Sequence, residues 1–261
     1  MFHVSYNIVC FGFFQPFFPA MKIQLVLHEC ILIKRYKRFL VEAELNSGEI
    51  ITAHCPNPGS MKTCFASGWR GLVSYCVKPG RKLQWTLEFV HNGECWIGVN
   101  TFHANKLVAE GLNSGLCPSL SGFCNLQPEF RLKSGSRIDF LLEYPSGQRC
   151  FLEVKSVSMT HEGFYSFPDA VTKRGLKHLQ ELEQLSAEGY RAVLLLLVLR
   201  GDGHGFRPAA HIDREWAEAF YRVQKKGVEV LVCPTEINPP DYTMLPPVIW
   251  SPMIKSLFSG F

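Results

Sequence analysis

Residues 136–157 read SRIDFLLEYPSGQRCFLEVKSV, two strand-like runs joined by the turn signal YPSGQ, with Asp139, Glu153 and Lys155 standing where apolar side chains belong. Successive side chains of a strand point to opposite faces, so Glu153 and Lys155 share one face while Leu152 and Val154 share the other. Asp139 comes from the preceding strand and lies opposite them when the hairpin is paired. Two carboxylates and an ammonium are costly on a half-buried sheet unless they pair with one another or bind an ion. Converging carboxylates with open positions suit Mg²⁺, which keeps several waters and shares its shell with substrate phosphate. A neighbouring lysine then orients or deprotonates the attacking water and offsets charge building on the phosphate. An internal salt bridge on an exposed sheet face is the plainer reading of the same spacing, which is a weak pattern taken alone.

Downstream, DAVTKRGLKHLQELEQLSAEG (169–189) carries Leu176, Leu179, Leu182 and Leu185 at helical spacing and stops at Gly189. Its first turns bear Lys173, Arg174, Lys177 and His178, cations placed to meet phosphates. AVLLLLVL (192–199) predicts a strand buried on both faces. DREWAEAFYRVQKKG (213–227) predicts a helix with Asp213 as N-cap, Trp216, Phe220 and Val223 facing inward, and Gly227 at its end. VEVLVC (228–233) supplies another buried strand. Strands alternating with helices imply a mixed sheet in an α/β domain.

Upstream, residues 30–100 contain short strand-like runs separated by NSGE, PNPGS, KPGR and HNGE, the pattern of a small barrel or sandwich. The organisation expected is an extension over 1–29, a barrel over 30–100, a connecting helix and linker over 101–117, an α/β domain over 118–235 and a tail over 236–261. Residues 1–20 make a poor signal peptide and too short and broken a membrane helix. Met21 opens MKIQLVLHEC, so they read as an upstream extension from a misplaced start.

The 261 residues are 47% apolar with a formal charge of +4, which excludes a disordered chain and permits a nucleic-acid partner without establishing one. Ten cysteines occur without a CxxC pair, which argues against structural zinc and for small buried hydrophobes in a reducing cytosol. KRYKRF (34–39) interleaves cations and aromatics. Alternation puts Lys34, Tyr36 and Arg38 on one face and Arg35, Lys37 and Phe39 on the other, a surface suited to single-stranded nucleic acid. A solvated, lysine-protected edge strand is the alternative. HCPNPGSM (54–61) reads as a tight turn near the barrel rim, where Asn57 and Ser60 can touch a substrate. GDGHGF (201–206) lacks the strand-to-helix context of a phosphate loop.

RIDF and LEVKSV, followed by FPDAVTKRGLKHLQEL and GYRAVLLLLV and preceded by LIKRYKRFLVEAEL, HCPNPGSM and GVNTFHANKL, resemble the sugar fermentation stimulation protein family of bacteria and archaea over most of residues 31–235. The resemblance implies an N-terminal OB-like β-barrel followed by a PD-(D/E)xK restriction-endonuclease-like mixed sheet with flanking helices, DNA binding, and regulation of maltose and other sugar utilisation; the cysteine usage adds the expectation of a cytoplasmic location. Carried over, it makes Asp139 and Glu153 ligands of Mg²⁺ or Mn²⁺ and Lys155 the catalytic lysine. Lys34, Arg35, Tyr36, Lys37, Arg38, Arg174 and His178 become DNA contacts. Glu129 takes the place of an additional upstream acid, while Asp169 reads as a helix N-cap. Ile138 stands where the pattern has proline. Two functions remain open: a Mg²⁺-dependent nuclease, or a non-catalytic DNA-binding transcriptional regulator on a vestigial nuclease fold. An interaction protein with basic patches is a remoter third.

Overall fold

The computed structural model describes residues 20–251. After β1 (Ala20–Lys22), strands β2 (Leu27–Tyr36), β3 (Leu40–Leu45), β4 (Ile50–His54), β5 (Arg70–Tyr75), β6 (Trp85–His91) and β7 (Trp96–Gly98) form a sheet in the order β4-β3-β2-β5-β6-β7. A parallel contact of β4 with β6, at Ala53↔Trp85 and His54↔Thr86, closes β2 to β6 into a barrel. Closure is favourable because it removes unpaired edges. Leu32, Val41, Ala43, Ala53, Val73 and Leu87 fill the interior at 0% exposure.

β2 and β3 form a hairpin. Lys37 and Arg38 adopt φ of 47° and 65°, a left-handed turn that ends the alternation. The expected two-faced distribution of Lys34 to Phe39 is therefore corrected: the last three residues belong to the turn.

A 3₁₀ turn (Thr101–His103) leads into α1 (Ala104–Asn113), the connecting helix. The second half contains β8 (Asn125–Arg131), β9 (Arg137–Glu143), β10 (Arg149–Val157), β11 (Met159–His161), β12 (Phe164–Phe167), α2 (Lys173–Ala187), β13 (Arg191–Val198), β14 (Phe206–Pro208), α3 (Arg214–Lys225), β15 (Glu229–Cys233), β16 (Thr235–Asn238), β17 (Asp241–Met244) and β18 (Val248–Ile249). Its main sheet has the order β18-β15-β13-β10-β9-β8, with parallel β10/β13 and β13/β15 pairs at the centre and antiparallel pairs at the edges. One sheet face packs Phe140, Leu152 and Leu195 against Leu107 and Val108 of α1, and the other packs Phe151, Leu194 and Leu196 against Leu179 and Leu182 of α2 and Trp216 and Phe220 of α3. Coverage on both sides explains why β13 is apolar without interruption.

Asp213 caps α3 by accepting from the Trp216 N–H at 3.0 Å. The cap of α2 is Thr172, whose Oγ1 accepts from the Gly175 N–H at 2.9 Å, so the N-cap reading of Asp169 is corrected. The C-terminal segment after residue 235 joins the fold: β17 pairs with β16 and β1, and Tyr242 and Met244 are fully buried. The described cysteines are free thiols, buried at Cys30, Cys55, Cys64, Cys117, Cys150 and Cys233 and exposed at Cys124. Burial pushes the thiols of Cys30 and Cys150 up to about 12. Among the described residues no helix is long and apolar enough to cross a membrane.

Candidate functional site

The β9/β10 hairpin pairs from Arg149↔Glu143 to Leu152↔Phe140, which brings Asp139 and Glu153 opposite each other at the next step. Lys155 follows two residues on, on the face covered by α2. Both Asp139 oxygens are held: Asn105 Nδ2 of α1 donates to Oδ1 at 2.8 Å, and the Val154 N–H donates to Oδ2 at 2.7 Å. Glu153 is 2% exposed. Its Oε1 accepts from Lys155 Nζ at 2.5 Å and meets Nδ1 of His178, which lies 3.1 Å from the same ammonium. Arg174 Nε donates to His178 Nε2 at 3.4 Å. Glu153 Oε2 is buried with no hydrogen-bond partner.

Burial pushes the Asp139 carboxyl up, and the charge of Glu153 pushes it further, against the hydrogen bonds from Val154 and Asn105. Burial acts in the same direction on Glu153, but its hydrogen bonds and charge contacts with His178 and Lys155 outweigh it and hold that carboxyl below its ordinary range. A cation beside both groups would offset the desolvation that each suffers.

The cluster opens on a cavity of about 330 Å³ whose far wall comes from the barrel, at Asn57 and Gly59, from Thr101 in the 3₁₀ turn, and from Asp169. Arg35 builds that wall: its guanidinium donates to the carbonyls of Asn57 at 3.0 Å, Gly59 at 2.9 Å and Ser60 at 3.0 Å. The Asn57 side chain accepts from the Gly59 N–H at 2.9 Å, and Asp169 Oδ2 accepts from the Met61 N–H at 3.2 Å. Each half of the chain thus contributes to one cleft.

The orphaned Glu153 oxygen and the neighbouring Asp139 carboxylate are hard oxygen donors and fit Mg²⁺, Mn²⁺ or Ca²⁺. Among the described residues no group of three or more His, Cys, Asp and Glu side chains is arranged to hold a metal ion by itself, so the protein offers a pair of carboxylates rather than a full cage. That suits an ion that keeps water and shares its shell with a substrate.

The fold brings Asp139, Glu153, Lys155, Arg174 and His178 to this cavity. It does not bring Glu129, which is exposed, has φ 52° and lies 3.7 Å from Arg137; the upstream-acid assignment is corrected. Arg35 supports the loop from within, through its bonds to the carbonyls of Asn57, Gly59 and Ser60. Lys34 pairs with Glu42 at 3.0 Å and lies over the Tyr36 ring at 5.6 Å, while Lys37 and Arg38 project from the turn. Asn105, Thr101, Ser158, Ser166 and the wall position of Asp169 escaped the sequence reading. The only signal for Asn105 is a polar residue in the first turn of an amphipathic helix.

Residues 33–99 match the family model of the SfsA N-terminal OB domain, and residues 102–241 that of the sugar fermentation stimulation protein RE domain. The chain is 44% identical over 219 residues to the sugar fermentation stimulation protein homolog of Geotalea uraniireducens, covering 84% of this chain and 94% of that one. The homolog of a Marinomonas species is 44% identical over 232 residues, covering 88% and 90%. The solved structure of Pyrococcus furiosus SfsA in complex with Ca²⁺ superposes with a TM-score of 0.78 at 24% identity, covering 87% of this chain and 98% of that one, a likeness of fold.

Proposed function

This chain belongs to the sugar fermentation stimulation protein family, and we propose that it is a DNA-binding protein in which Asp139, Glu153 and Lys155 form a divalent-metal phosphodiesterase site, with a part in regulating sugar use, maltose included. The observation that carries this reading is the buried, unpartnered Glu153 oxygen beside Asp139 in a cleft walled by Lys155, Arg174 and His178. A site built only to grip phosphate gains nothing from carboxylates facing it without a cation between them. The Ca²⁺ complex of the P. furiosus relative supports a hard divalent ion in this fold.

Asp139 and Glu153 would hold Mg²⁺ or Mn²⁺, which polarises a phosphoryl oxygen and acidifies bound water. Asn105 and the Val154 N–H fix the Asp139 carboxylate in orientation. Lys155, aligned by Glu153, offsets charge that grows on the phosphate during in-line displacement. Arg174, on the first turn of α2 and lining the cleft, would meet a neighbouring phosphate. The self-contained contact of Lys155 with Glu153 and His178 favours a second reading, a regulator that binds DNA through a metal bridge without cutting it.

The test is a Mg²⁺ and Mn²⁺ titration with end-labelled single- and double-stranded DNA, scoring binding and scission together. We expect metal-dependent scission that Asp139→Ala abolishes and Lys155→Ala lowers by about 10²-fold or more, with binding retained. Salt-sensitive binding without scission under either metal selects the regulator. Absence of binding to any DNA would sink both readings.

A further inference from the structure

Three aromatic rings that the proposed chemistry does not use form a row along the barrel rim. Phe39, in the β2–β3 turn, lies 6.4 Å from the ring of His54 at the end of β4, and His54 lies 6.5 Å from Phe102 in the 3₁₀ turn before α1. Both pairs are tilted by 39°, so neither ring of a pair is stacked face to face on the other. Phe102 is 74% exposed and Phe39 41%, unusual for phenylalanine with a core at hand.

Cations flank the row. Lys37 and Arg38 are exposed beside Phe39, and Lys106 is exposed one helical turn beyond Phe102. Burial and the charge of nearby Arg81 hold the His54 ring below its ordinary pKa, so it is a neutral aromatic at neutral pH. At the other end the row meets the cleft: Thr101, adjacent to Phe102, lines it and is tied to the Pro56 carbonyl through its Oγ1 at 2.8 Å.

Resting on the proposed DNA-binding function, we infer that Phe39, His54 and Phe102 are a stacking platform for the bases of an unpaired DNA strand, whose backbone runs from Lys37 and Arg38 towards Asp139 and Glu153. A duplex hides its base faces, whereas an unstacked strand presents one with each nucleotide. Aromatic platforms within a positive surface are the physical requirement for holding such a strand without sequence readout. The substrate class at the carboxylate site is thereby single-stranded or locally opened DNA.

The experiment measures binding of a 12-nucleotide single strand and the matching duplex to the full chain in Ca²⁺, with 2-aminopurine in the single strand reporting stacking. Phe102→Ala and Phe39→Ala are expected to weaken single-strand binding by roughly five- to a hundredfold and restore 2-aminopurine emission, with duplex binding changed less than twofold. Phe102→Trp is expected to retain affinity and Phe102→Leu to lose it, which separates stacking from apolar contact. Wild-type binding that the alanine variants leave unchanged, or weaken equally for strand and duplex, overturns the platform while the DNA-binding function stands. A wild-type protein that binds neither form overturns both.

Discussion

Glu153 combines 2% exposure with one carboxylate oxygen that no side chain or backbone group satisfies. A buried carboxylate left half-solvated by protein is expensive, and a hard cation is the group that best repairs it. Mg²⁺ or Ca²⁺ should therefore raise the melting temperature of the wild-type protein, with stabilisation of about 2.7 kcal/mol at a hundred times the dissociation constant. Glu153→Gln and Asp139→Ala should each abolish that increment in a thermal-shift titration, while Arg174→Ala, which removes no oxygen ligand, should keep it. A rise of equal size in the carboxylate variants would place the ion elsewhere. The sequence presents Asp139, Glu153 and Lys155 through strand alternation, but not the His178 contact, because a helix stripe does not reveal which of its polar residues meets a sheet.

Among the elements, the loop between β4 and β5 matters most for the cleft. Gly59 sits where a Cβ would collide with the carboxylate of Asp169, so a larger residue there pushes that side chain aside. Gly59→Ala should displace Asp169 from the Met61 N–H and lower the affinity of the cleft for DNA in a binding titration, with a smaller effect on urea denaturation than on binding. Arg35, read from sequence as a surface cation in a basic strand, carries this loop instead. Nothing in KRYKRF marks one arginine as different, because the carbonyls it binds lie more than twenty residues away. The start of α2 has a similar lesson. Thr172 and Asp169 are each acceptable capping residues near the helical stripe, and only backbone direction selects Thr172. Thr172→Ala should cost about 1 kcal/mol in the same denaturation measurement.

At the scale of the whole molecule, the barrel and the mixed sheet are joined through Arg200, 2% exposed, which pairs with Asp202 at 2.6 Å and donates to the carbonyls of Thr63 at 3.0 Å and Ser158 at 2.7 Å. Asn92 of the barrel side donates to Asp202 at 2.6 Å. Burial raises Asp202, but Arg200 outweighs it and holds the carboxyl below its ordinary range. Glu88, buried under the 3₁₀ turn, is likewise held low because hydrogen bonds from His103, Ser74 and Asn100 outweigh its burial. A depressed folded value means stability that is present above the unfolded carboxylate pKa of about 4 and is lost as pH falls through the folded value. Unfolding monitored against pH should show stability declining below about pH 4. Arg200→Met should destabilise the chain by about 3–5 kcal/mol near neutrality, by an amount that shrinks in acid as Asp202 protonates. A pH-independent difference would assign the loss to packing alone.

The sequence by itself determined the strands of the 136–157 hairpin, α2, β13, α3 and β15 in their order, the two halves and the charged face of that hairpin, because those follow from local periodicity and turn chemistry within a few residues; it did not show β8, β11, β12, β14 or the strands after residue 235. Tertiary structure alone decided that Glu129 lies outside the cleft, that Asp169 lines it, that Asn105 holds Asp139, that Arg35 serves a loop, and that Phe39, His54 and Phe102 meet in one row. The physical reason is range: strand alternation is set by neighbouring residues, whereas these contacts depend on how a closed barrel, a connecting helix and a covered sheet pack on one another.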